Sequence, residues 1–197
     1  MTLLNDKQIA KLAENDIFMP FVGEKMRALD DGTKAISFGL SQAGYDIRLS
    51  ADEFIVIDGK GFKGKDKGEL DAKLFDTSLS YLAPLIHGKR GSYFRLPPHS
   101  YGMGVSLELI SMPNDVMGIC DGKSTYARCG IVINVTPIEP GWAGHLTISI
   151  NNPTAFPARI YANEGIVQVM LMSINEVGQA YTGNYQNQGA NVQVAAV

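Results

Sequence analysis

The run Asp121-Gly122-Lys123-Ser124-Thr125-Tyr126-Ala127-Arg128-Cys129-Gly130 carries side chains suited to an oxyanion. Gly122 suits a tight turn, Ser124 the cap of a short helix, and Gly130 its stop. Ser124 and Arg128 stand four residues apart, so a helix places them on one face. A helix start with a hydroxyl, free amides and a nearby guanidinium attracts phosphate. A capped surface helix with a solvated arginine has the same sequence, and these residues alone favour that plainer reading. This run is not a Walker P-loop, because it lacks the Gly-x-x-x-x-Gly-Lys spacing.

The next run, Ile131 to Gly144, reads as a hairpin around the rigid Glu139-Pro140-Gly141 turn. The strand after it alternates. His145, Thr147, Ser149 and Asn151 face one way, and Leu146, Ile148 and Ile150 the other. The polar face lines either water or a ligand pocket. A lone His145 there reads first as a surface residue. Cys120 and Cys129 are too few for a disulfide framework and lack metal-site partners at the usual spacing.

Short strands must position these groups. Turn signals recur at Pro97-Pro98, Pro113-Asn114-Asp115, Pro140-Gly141, Asn152-Pro153 and Asn163-Glu164-Gly165. Strand-sized apolar segments lie between them, at 101–110, 116–120, 131–136, 145–151, 158–161 and 166–174. That spacing favours a sandwich or barrel. Upstream, residues 33–57 read as β structure. Residues 58–73 read as a surface loop, and 69–83 leave a short helix open. Near the N-terminus, Asn5 and Gln8 form a capping-box pattern, with Leu4 and Ile9 as its hydrophobic staple. The stretch 178–193, rich in Gly, Asn and Gln, lacks a core period; it either frays or orders over a ligand.

Together these motifs resemble the dCTP deaminase family, within the dCTP deaminase and trimeric dUTPase superfamily. The resemblance rests on Gly122-Lys-Ser-Thr-Tyr-Ala-Arg128, on Val135-Thr-Pro-Ile-Glu-Pro-Gly-Trp-Ala-Gly144, and on Glu164-Gly-Ile-Val-Gln168. Ala43-Gly-Tyr-Asp46, Leu107-Glu108 with Pro113-x-Asp115, and Tyr185-Gln-Asn-Gln188 follow the family too. The match runs in order from about position 36 onward.

The resemblance implies an all-β chain with a few short helices, folded as a distorted dUTPase-like β-barrel (a β-clip). It implies one domain over 1–197, with an N-terminal helical and extended segment at 1–32. A variable insertion at 58–92 and a C-terminal segment at 178–197, ordering over the nucleotide, complete it. Sites of this family form between subunits of a homotrimer. Deaminases of this type convert dCTP and water to dUTP and ammonia, and some members also release diphosphate to give dUMP. Mg²⁺ rides on the substrate's triphosphate and no zinc is used. Carried over, Ser124 and Arg128 bind phosphates, with Lys123 and Thr125 beside them. Gln188 reaches the triphosphate from the C-terminal segment, where Tyr181 and Tyr185 join the substrate-binding set. Trp142 and the backbone of Val135, Thr136 and Ile138 line the deoxyribose and base. Asp46 and Glu139 occupy acidic positions. A zinc deaminase needs His-x-Glu and Pro-Cys-x-x-Cys; the chain has neither.

One position departs from the pattern. The family's general base is a Glu five residues beyond the second Gly of Gly-Trp-x-Gly. Counting from Gly144 gives Ser149. Loss of a positioned base costs ~10²–10⁴ in rate. Three readings follow. The first is a dCTP deaminase in which Glu139, Asp46 or His145 takes up the base role. The second is a dUTPase-like diphosphatase, with Glu139 activating water at the α-phosphate. The third is a nucleotide binder without turnover. A purely structural trimer stands as a non-enzymatic alternative. The ligand is dCTP, dUTP or a modified pyrimidine nucleotide, with dTTP as a candidate inhibitor.

Composition bounds the rest. The chain has 197 residues, 45% hydrophobic and 19% charged, enough for a core and unlike a disordered chain. Its net charge of −3 argues against a polynucleotide partner. No signal-peptide pattern opens it and no apolar run is long enough to span a membrane, so a cytoplasmic location is expected.

Overall fold

The computed structural model describes residues 1–58, 70–175 and 178–195. Strands dominate it, and the α-helices are two short ones, Asp6–Ala13 and Ser124–Ala127. The first starts where its capping chemistry lies. The Asn5 side chain accepts from the Gln8 amide at 3.0 Å, and the Asn5 amide donates to the Gln8 side chain at 3.0 Å. Leu4 and Ile9 are both buried, as a staple across that cap requires.

The main sheet runs in the order Thr2–Leu3, Gly165–Ser173, Gly44–Ile57, Ser100–Ser111, Ala143–Asn152, Val132–Asn134. These neighbours pair antiparallel. Val116–Gly122 also pairs with Gly165–Ser173. The sheet curls but stays open, a half-barrel form of the distorted barrel that the resemblance implies. In the buried core Phe18 stacks on Tyr45 with ring centroids 4.3 Å apart, and Phe54 on Phe94 at 4.9 Å.

Period-two patterning places the side chains. In Ala143–Asn152, Leu146, Ile148 and Ile150 are buried, whereas His145, Thr147, Ser149 and Asn151 are half-buried on the opposite face. The hairpin expected after Gly130 forms, with Ile133 opposite Ile150, although its first strand is limited to Val132–Asn134. Residues 59–69, the middle of the expected loop, lie outside the described residues. The 58–92 region is not wholly an excursion. Tyr81–Leu82 pairs with Ile55 and Val56, and a three-stranded sheet joins Ile86–Gly88, Gly91–Leu96 and Ala158–Tyr161. The open question of a helix in 69–83 resolves to one 3₁₀ turn, Thr77–Leu79, capped by the Asp76 carboxylate.

Candidate functional site

A cavity of about 520 Å³ opens on the polar face of Ala143–Asn152. Three pieces of chain build it. The sheet contributes Tyr101, Met103, Leu146, Thr147 and Ser149. The hairpin connection contributes Thr136, Pro137, Ile138, Glu139 and Trp142. The C-terminal segment contributes Tyr181, Tyr185, Gln188, Gln193 and Ala195. The expectation that Ser149 faces a pocket is met. Its hydroxyl lies 3.1 Å from the Tyr101 hydroxyl. Tyr101 pairs with Asn151, so Ser149 is its diagonal neighbour, within reach of a long aromatic side chain.

The C-terminal segment has almost no regular structure, yet hydrogen bonds hold it on the turn. The Tyr181 amide donates to Pro140 O at 2.9 Å, and the Asn187 amide to Ala143 O at 2.8 Å. The Trp142 indole N–H donates to Tyr185 O at 2.7 Å. Gln186 accepts from the Ala143 amide and donates to Gly141 O. The Gln188 side-chain amide donates to the Thr147 hydroxyl, which also accepts from the Gln193 amide at 3.0 Å. Gly144 permits this approach. It has φ 146°, and a Cβ there would stand 2.7 Å from the Gln188 nitrogen. So the polar, aperiodic tail does not fray; it walls the cavity.

The phosphate candidates lie elsewhere. Lys123, Ser124, Thr125 and Arg128 do not line the cavity. The helix that carries them is a single turn, Ser124–Ala127, and Ser124 begins it. Lys123, whose side chain makes no capping hydrogen bond, holds the cap position, which corrects the expected cap at Ser124. Ser124, Thr125 and Arg128 are exposed. Gly130 ends the turn with φ 76°, as expected. Beside this helix a cleft of about 860 Å³ is lined by residues including Arg27, Lys34, Lys89, Arg90, Thr125 and Glu164.

Two expected acid–base groups fall outside the cavity. Asp46 is fully buried on another face, where Lys123 Nζ reaches its Oδ2 at 2.6 Å and Lys25 Nζ approaches at 3.8 Å. It therefore anchors the lysine that opens the Ser124 turn, and it is not among the described residues that line this cavity. His145 turns its Nδ1 to Ser106 O at 3.0 Å and does not line the cavity. Val135 packs half-buried against the core and is not part of the lining either. Glu139 is thus the one carboxylate among the described lining residues, and no Lys or Arg is among them.

Buried ion pairs brace the strands behind the site. Arg48 Nε lies 2.6 Å from Glu108 Oε1, and the Arg48 amide donates to Oε2 at 2.9 Å. Burial pushes the Glu108 carboxyl above the usual range, against the pull of Arg48. Glu164, also buried, accepts the Ile36 amide at 2.7 Å, and desolvation raises its carboxyl too. The sequence reading missed Tyr101. Its signal was the alternation in 101–110, which puts Tyr101 and Met103 on one face.

The curled antiparallel sheet thus carries a cavity lined by aromatic and hydroxyl side chains with one carboxylate, and the candidate phosphate residues Ser124 and Arg128 stand on a separate turn. The model of the dCTP deaminase-like family matches residues 3–174. The chain is 39% identical over 194 residues to the dCTP deaminase of Alcanivorax borkumensis, covering 98% of this chain and 95% of that one. It is 40% identical, with the same coverage, to the dCTP deaminase of Burkholderia mallei. In fold it resembles the crystal structure of 2′-deoxycytidine 5′-triphosphate deaminase from Agrobacterium tumefaciens, with TM-score 0.54 and 17% identity. That superposition covers 92% of this chain and 50% of the other. This chain belongs to the dCTP deaminase-like family.

Proposed function

We propose that this chain processes deoxypyrimidine nucleoside triphosphates as a zinc-independent dCTP deaminase, turning dCTP and water into dUTP and ammonia. Its similarity to dCTP deaminases over nearly the whole chain carries this reading. Trp142, Thr136 and Ile138 close around a base and deoxyribose, with Tyr181 and Tyr185 as the opposite wall. Glu139 serves as the base. It takes a proton from water, and the hydroxide adds to C4 of cytosine. The proton passes to the amino group, the C4–N4 bond breaks, ammonia leaves, and the added hydroxyl gives its proton to N3 to become the C4 carbonyl. A carboxylate at this cavity can supply the base that serine at 149 does not.

The cavity's lack of a cation supports a site shared between copies. Ser124 and Arg128 of a second copy would then meet the triphosphate, with Gln188 at the boundary, as in a homotrimer. Mg²⁺ suits this donor set. Among the described residues no group of three or more His, Cys, Asp or Glu side chains is poised to hold a metal. Mg²⁺ would be held mainly by the substrate's triphosphate. Bound there, Mg²⁺ would neutralise part of the triphosphate charge.

The second reading is a diphosphatase, in which Glu139 activates water at the α-phosphate. The hydroxyl at 149 favours it. Assay of the purified protein with Mg²⁺ separates the two. Ammonia from dCTP supports the deaminase. dUMP and diphosphate from dUTP, with no ammonia from dCTP, supports the diphosphatase and overturns the deaminase.

A further inference from the structure

The nucleotide reading leaves open what the base meets at the sheet wall of the cavity. Trp142 gives its N–H to Tyr185 O, and the Thr147 oxygen already accepts from Gln188 and Gln193. The Tyr101–Ser149 pair is different. Its two hydroxyls share one hydrogen bond of 3.1 Å, and either oxygen can be the donor. A hydroxyl has one O–H and two lone pairs, so the pair keeps one O–H and three lone pairs for a ligand.

The ligand part that enters is not an anion, because the described lining residues include the Glu139 carboxylate and no Lys or Arg. That selects the base end of a nucleotide, with its phosphates outside. Resting on the nucleotide reading above, we infer that Tyr101 and Ser149 read the pyrimidine's C4 edge and accept cytosine and uracil alike. Facing cytosine, the pair accepts from the N4 amine. Facing uracil, its mutual bond reverses and the free O–H donates to O4. A carboxylate at 149 could do only the first, since it accepts and does not donate when ionised. The consequence for a deaminase is retention of its product: dUTP competes with dCTP at nearly equal affinity.

Trp142, the only tryptophan in the chain, lines this cavity and reports occupancy. Rapid mixing of the full chain with Mg²⁺–dCTP or Mg²⁺–dUTP, read by its fluorescence before turnover, gives both dissociation constants. They are expected to agree within about tenfold. Ser149→Ala and Tyr101→Phe are each expected to weaken both nucleotides by about threefold to tenfold while leaving their ratio unchanged. Ser149→Thr, which keeps the hydroxyl, is expected to restore binding. Ser149→Glu is expected to shift the ratio towards dCTP by more than about tenfold. A wild-type preference of about a hundredfold for either nucleotide overturns the inference and leaves the nucleotide reading standing. Unchanged affinity in both Ser149→Ala and Tyr101→Phe overturns it in the same way. If neither nucleotide binds, the nucleotide reading falls and this inference falls with it.

Discussion

Two regions of this molecule divide the chemistry of one ligand. The cavity at Ser149 offers aromatic walls, hydroxyls and a single carboxylate, and none of its described lining residues is cationic. The region of the Ser124–Ala127 turn offers Arg128, Lys123 and a cleft with Arg27, Lys34, Lys89 and Arg90. An uncharged ring is at home in the first and a polyanion in the second. Under the proposed function a nucleoside triphosphate uses both, and the cavity and the turn are expected to meet across copies.

The sharpest break in that comparison is Glu139→Gln. It keeps the size of the side chain but removes the cavity's base, so kcat for ammonia release is expected to fall about 10²–10⁴-fold with KM little changed. Steady-state kinetics on dCTP checks it, and a rise in KM with kcat unchanged would move Glu139 out of the chemistry. Arg128→Ala tests the other region. Loss of a charge-assisted contact to phosphate is expected to raise KM roughly tenfold to hundredfold with kcat retained. Mixing the two variants after unfolding and refolding joins the ideas. If each site takes its cavity from one copy and Arg128 from another, the mixture recovers activity that neither variant has alone. No recovery would place the whole site in one chain.

Smaller effects probe how the cavity is walled. Gly144→Ala forces a left-handed backbone on alanine and pushes its methyl against Gln188. A loss of about 1–3 kcal/mol is expected, with faster proteolysis of the C-terminal segment. Denaturant unfolding and limited digestion check both. The smallest effect belongs to Glu164, whose carboxyl is raised in the folded state. A raised carboxyl favours the native state when protonated, so this contribution is lost as pH rises through the native value. Glu164→Gln retains an acceptor for the Ile36 amide and cannot ionise. The wild type should therefore lose stability relative to the variant as pH climbs above the ordinary carboxyl range, which unfolding curves at several pH values would detect.

Much of this was legible in the chain itself. The capping box at Asn5 and Gln8, the stop at Gly130 and the alternation from His145 to Asn151 are local, because each depends on neighbours within a few residues. The same holds for the motif order that placed the chain in its family and singled out Ser149. Other facts depended on contacts between distant segments. Asp46 stood among the candidates for the base role, and nothing near it in sequence announces its ion pair with Lys123, far along the chain. Tyr101 carried no motif, and only the register of its strand against Ala143–Asn152 brought its hydroxyl to Ser149. The polar tail at 178–195 has no apolar period to announce a fixed place, and its order comes from hydrogen bonds to the Pro-Gly-Trp turn. The residue types and their local periods thus set which groups are available and which strand face each takes. Register, burial and long-range pairing, which no local pattern encodes, decided which of those groups share a cavity.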